Sequence, residues 1–144
     1  MLRALVVAVS LGACVVAAGQ ALPLADVKAN GGVQLTADEL KQLLPGTKVV
    51  NMNAAGSTRR WTNSPDGTVV ASTDGHGASS GRNMPAAGQG TWHLADNGTY
   101  CVNIKWGVMV TEDWCSYMFK AGDKYYATRR LDDNAPAGKF DISK

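Results

Sequence analysis

Two histidines, three cysteines and four tryptophans carry much of the side-chain chemistry open to this 144-residue chain. His76 stands in the segment DGHGASSGRNMPAAGQG (74–90), just after Asp74 and shortly before Ser79, Ser80 and Arg82. A hydrolase would use such a histidine as base and one of the serines as nucleophile. Neighbours on a Gly-, Ser- and Ala-rich stretch do not make a triad, because a triad needs a supporting shell that holds its groups in place. The chain also lacks the strained GxSxG elbow that exposes a nucleophilic serine. A metal centre built from Asp74, His76 and His93 would require two distant segments to converge, and His93 alternates away from Trp92 and Leu94 as a solvent-facing strand residue does. No pair of carboxylates is marked by its spacing. The expectation is a protein that is not an enzyme and holds no cofactor or metal.

Recognition is what remains for this segment. A connection longer than about 12 residues in a compact domain is either functional or disordered, and loops on stable frames commonly carry binding. Asp74, His76, Ser79, Ser80 and Arg82 are therefore the candidate contact residues for a protein, a glycan or a small ligand. Arg59-Arg60 and Arg129-Arg130 could meet an anion, yet neighbours in a strand point to opposite faces, so at most one of each couple joins a given patch. Trp61 and Trp92 read first as core. A cavity lined by Trp61, Trp92 and Trp106 would favour ligand binding, whereas a solidly packed interior would favour a structural role.

The cysteines take their meaning from the compartment. Residues 1–21, MLRALVVAVSLGACVVAAGQA, have a basic head at Arg3, an apolar run and small residues at the end, the form of a secretory signal peptide cleaved after Ala21. A membrane anchor needs roughly 20 apolar residues, and this run is shorter. The alternative is a lipoprotein, because LGAC (11–14) resembles a lipobox that would lipidate Cys14. Lipid would change the anchoring and leave the fold alone. Removal of the leader lowers the formal charge from +2 to +1, with both signs scattered. That excludes the basic stripe of a nucleic-acid binder. It also leaves Cys101 and Cys115, an even pair that an oxidising compartment would join as a disulfide. The setting is periplasmic or secreted.

The elements that must position these groups follow from patterning. Residues 22–34 form a polar, loosely held lead before a single domain at 35–144. LTADELKQLLPGT (35–47) announces one short helix: Thr36 and Glu39 make a capping box, Leu35 and Leu40 a hydrophobic staple, and Pro45-Gly46 the stop. The remainder alternates as strands at 47–53, 57–63, 68–73, 90–95, 99–106, 111–119, 124–131 and 138–143, with SPDG, DNG and KAGD as turns. About seven or eight short strands joined by tight turns make a mainly β fold, an antiparallel meander barrel with one N-terminal helix. A two-sheet sandwich is the alternative. Closure favours the barrel because it removes exposed edges.

The register of one hairpin follows from the same logic. If Cys101 faces Cys115, then Val102 faces Trp114, Tyr100 faces Ser116 and Ile104 faces Glu112. Tyr100, Val102, Ile104, Trp114 and Met118 then share an apolar face, and Cys101, Asn103, Lys105, Asp113, Cys115 and Tyr117 a polar one. The disulfide becomes a clasp on the outer face, worth about 3 kcal/mol in the chain-entropy model.

The order LTADELKQLLPGT, RRWTN, PDGTV, GTW, DNGTYCVNI, DWCSYMF and KAGDKYY resembles a family of small secreted proteobacterial proteins classed as a domain of unknown function. The likeness spans about Leu35 to Arg130. It implies an exported bacterial protein and transfers no catalytic or binding residue. Two function classes stand: a non-catalytic binding module, and a structural or envelope-associated protein without a discrete ligand site.

Overall fold

The computed structural model describes residues 21–75, 85–107 and 110–144. Residues 1–20 of the leader, Cys14 included, lie outside them. Eight strands close into an up-and-down antiparallel barrel: β3 (Thr47–Met52), β4 (Thr58–Asn63), β5 (Thr68–Thr73), β6 (Ala86–Leu94), β7 (Tyr100–Trp106), β8 (Val110–Ala121), β9 (Lys124–Thr128) and β10 (Pro136–Ser143). Each pairs with the next, and β10 returns to β3. The sandwich is thereby set aside. The expected hairpin register holds throughout, with Cys101 opposite Cys115, Val102 opposite Trp114 and Ile104 opposite Glu112. Cys101 and Cys115 are joined as a disulfide across β7 and β8.

Alternation decides what fills the barrel. Val49, Trp61, Val69, Ala71, Tyr100, Val102, Ile104, Trp114, Met118, Ala127 and Phe140 form one buried cluster. Its centre is aromatic: Trp61, Trp114 and Phe140 meet edge to face with ring centroids 5.5–5.9 Å apart, and Tyr100 meets Trp114 at 5.5 Å. Edge-to-face geometry sets the positive ring edge on the negative face of its neighbour. Trp92 packs at the margin of the cluster and donates its indole N–H to the Ser64 carbonyl at 2.8 Å. The three tryptophans that would have to line one cavity in a ligand-binding interior are thus divided. Trp61 is in the packed centre, and Trp92 and Trp106 stand toward opposite ends of the barrel.

One end is sealed by α2 (Ala37–Leu43), which runs into β3 and plugs the barrel with the fully buried Leu40 and Leu44. Its capping box forms as the sequence reads: Thr36 accepts from the Glu39 N–H at 3.3 Å, and Glu39 accepts from the Thr36 N–H at 2.7 Å. A polar relay links this plug to the centre. The Trp61 indole donates to the Tyr100 hydroxyl (2.8 Å), which donates to Asn63 Oδ1 (2.7 Å); the Asn63 amide reaches Thr47 Oγ1, and Thr47 donates to the Leu44 carbonyl at 2.6 Å. Every buried polar group in that line has a partner, as burial demands.

The lead at 22–34 differs from expectation. It carries β1 (Leu22–Pro23), a second helix α1 (Leu24–Ala29) and β2 (Val33–Gln34). Leu24 and Val27 are buried against Phe119, Ala135 and Ala137 on the outside of the barrel. The polar composition of the lead hides that two-residue apolar contact. α1 is further tied down where Leu24 and Ala25 donate their N–H groups to the Ala135 and Asp133 carbonyls at 2.9 Å. Strand limits also move, most at β6 and β9. β6 begins at Ala86, so it takes the end of the 74–90 segment into the wall, and β9 stops at Thr128 rather than 131.

Candidate functional site

At the end opposite α2, β3, β5, β7 and β9 finish and β4, β6, β8 and β10 begin. Here the wall parts. β10 pairs with β3 only from Asp141 to Ser143, against Lys48 to Val50, and its first half pairs with β9 and β1 instead. Asn51, the next inward residue of β3, spans the gap with its side chain: its amide donates to the Lys139 carbonyl at 3.1 Å, and its oxygen accepts from Arg59 Nη2 at 2.8 Å. A cleft of about 450 Å³ opens at this parting. Trp114, Phe140 and Ala127 supply apolar wall, Ser116 and Thr128 hydroxyls, and Arg59, Arg129 and Arg130 charge.

Beside the cleft lies an inward ion pair. Glu112, on the same face of β8 as Trp114, takes Arg59 Nη1 and the Trp114 indole N–H (2.9 Å) on Oε1, and the Trp106 indole N–H (3.1 Å) on Oε2. The two charged side chains are each about one-fifth exposed. With three donors on its two oxygens, this carboxylate is held as a counter-ion rather than offered as a base. The Arg59 Nε–H is buried without an acceptor among the described residues. Space for Trp106 comes from Gly88 of β6, where a Cβ would stand 2.9 Å from the indole ring and 2.7 Å from the Ile104 side chain.

Of the residues singled out in the sequence, Asp74 accepts the Thr58 N–H on its carboxylate at 3.0 Å and ties the end of β5 to the start of β4. His76, Ser79, Ser80 and Arg82 lie outside the described residues. His93 is exposed on β6 opposite Cys101. Arg60 is exposed while Arg59 points inward, as alternation requires. For Arg129 and Arg130 the expectation fails. The strand ends before them, alternation no longer applies, and both line the cleft. Among the described residues no group of three or more His, Cys, Asp or Glu could hold a metal ion.

Glu112 and Asn51 were not candidates in the sequence reading. A signal for Glu112 existed, because the register that opposes it to Ile104 puts a carboxylate on the apolar face. Asn51 had no such mark, since its role depends on where β3 and β10 part.

Residues 12–122 match the family described as "Protein of unknown function (DUF995)". The match starts well upstream of Leu35, where the resemblance in the sequence began. No curated protein and no solved structure matches the chain.

Proposed function

The chain belongs to this family of unknown function, and we propose that it is a non-catalytic binding module whose ligand site is the cleft between β3 and β10. The observation that carries this reading is the parted wall. Closed barrels normally pair every strand edge; here a volume within the range of small-molecule sites, roughly 300–1,000 Å³, opens onto Trp114 and Phe140 beside fixed polar groups. We further propose that the protein is exported to the periplasm or beyond. The Cys101–Cys115 disulfide is compatible with that setting, and no helix among the described residues is long and apolar enough to cross a membrane.

The second reading is a structural or envelope-associated protein without a discrete ligand. Its support is the aromatic centre, which packs Trp61, Trp114 and Phe140 face against edge and leaves the barrel axis filled. A mixed set of neutral, anionic and cationic fragments separates the two. Binding at the cleft will shift the backbone amide resonances of Asn51, Ser116, Ala127 and Gly138 together. If no fragment moves them, the binding reading is wrong and the structural one stands.

A further inference from the structure

We infer that the cleft is built for an organic anion, a carboxylate or phosphate carried on an aryl or short apolar body; this rests on the reading of the cleft as a ligand site. Its charged lining residues are Arg59, Arg129 and Arg130, with no aspartate or glutamate lining it among the described residues. The chain as a whole is nearly neutral, at +2; Glu112 and Asp132 pair with Arg59 and Arg130 from outside the lining, so the local positive excess rests on Arg129 and on the exchangeable Arg130–Asp132 contact.

The three guanidinium groups are not equivalent. Arg59 is held by Glu112 and Asn51, which fixes its plane, and its buried Nε–H has no acceptor among the described residues. Arg130 is exposed and pairs with Asp132 at 3.2 Å, a contact open to solvent and therefore readily exchanged. Arg129 is exposed and forms no ion pair among the described residues. Together they provide a fixed cation at the wall and two adaptable ones at the rim. Arginine suits this task because its planar fork matches carboxylate and phosphate oxygens two at a time. Trp114 and Phe140 complete the selection. Both are mostly buried, and the part they show to the cleft is apolar, so it suits a ring or short alkyl body and gives nothing to a fully hydrated ion.

The test is a calorimetric titration of the folded chain with indole-3-acetate, its neutral analogue indole-3-acetamide, the amine tryptamine and 1-naphthyl phosphate. At least one of the two anions will bind about tenfold or more tightly than the acetamide, and tryptamine most weakly of all. Whichever anion binds more tightly assigns the head group. In an Arg129→Gln, Arg130→Gln variant, whose changes lie beyond the end of β9, the preference for the anion will fall by at least threefold while the thermal midpoint is kept. Acetamide or tryptamine binding as tightly as both anions overturns the anion assignment and leaves the cleft as a site. An anion preference unchanged in the double variant overturns the role of the rim arginines. Failure of all four probes overturns the inference, and the fragment set then decides separately whether the cleft binds anything.

Discussion

Glu112 shows at a single residue how the open end differs from the rest of the barrel. Its carboxylate is inward-facing and serves Arg59, Trp106 and Trp114 at once. A Glu112→Gln variant keeps the shape but removes the charge and replaces one accepting oxygen with a donor amide. Removing one partner of a half-buried pair leaves the other charge uncompensated, so stability should fall by about 1–3 kcal/mol. Urea unfolding measures that loss, and a change in tryptophan fluorescence would report the freed indoles. Tyr100 gives the corresponding case at the sealed end. Burial pushes its hydroxyl well above the ordinary value of 10.0, despite hydrogen bonds with Trp61 and Asn63 that act the other way. The unfolded chain therefore loses this proton first as pH rises. The stability contributed by the neutral phenol is complete below pH 10 and declines above it. Stability curves of the wild type and Tyr100→Phe should converge as pH is raised above that value. At neutral pH the variant should be weaker by about 1–3 kcal/mol, because the Trp61 N–H and the Asn63 oxygen lose a buried partner.

The elements divide into those the sequence announces and those it conceals. The hairpin register, the capping box and the turns are legible because each rests on local chemistry: alternation, a Thr-x-x-Glu spacing, and glycines such as Gly67 and Gly98 with positive φ. α1 is concealed because only Leu24 and Val27 mark it, and the surface they bury arrives from β8 and the β9–β10 region about a hundred residues later. The start of β6 is concealed for a different reason. Glycine and alanine read as loop, whereas Gly88 and Gly90 are in the wall because their neighbours leave no room for a side chain. A Cβ at Gly90 would stand 1.7 Å from the Asn103 carbonyl oxygen. Trimming the 74–90 segment as a loop would therefore remove part of the barrel. Gly88→Ala should displace Trp106 from Glu112 and cost about 1–3 kcal/mol of stability through overpacking. Thermal unfolding with tryptophan emission as the probe would show both effects; an unchanged midpoint would mean that the wall has slack at this position.

At the scale of the molecule, the barrel is asymmetric along its axis. α2 and the Thr47–Asn63–Tyr100–Trp61 relay fill one end, the aromatic group fills the centre, and the other end parts its wall between β3 and β10. The barrel itself was legible from strand count and turns. The site was not, because it is made by a pairing that is incomplete: β10 joins β3 only from Asp141 onward, and no residue type announces that. Gly138 lies inside the parting, and a Cβ there would meet only the Asn51 amide, at an ordinary 3.8 Å. A Cβ is therefore accommodated at Gly138, and a larger side chain built on it is expected to enter the cleft. The most direct test of the binding account is fragment titration of Gly138→Leu beside the wild type, followed by the amide resonances of Ser116 and Ala127. The account predicts a variant with an unchanged thermal midpoint that no longer responds to fragments shifting the wild type. A folded Gly138→Leu protein that binds the same fragments with the same affinity would contradict it.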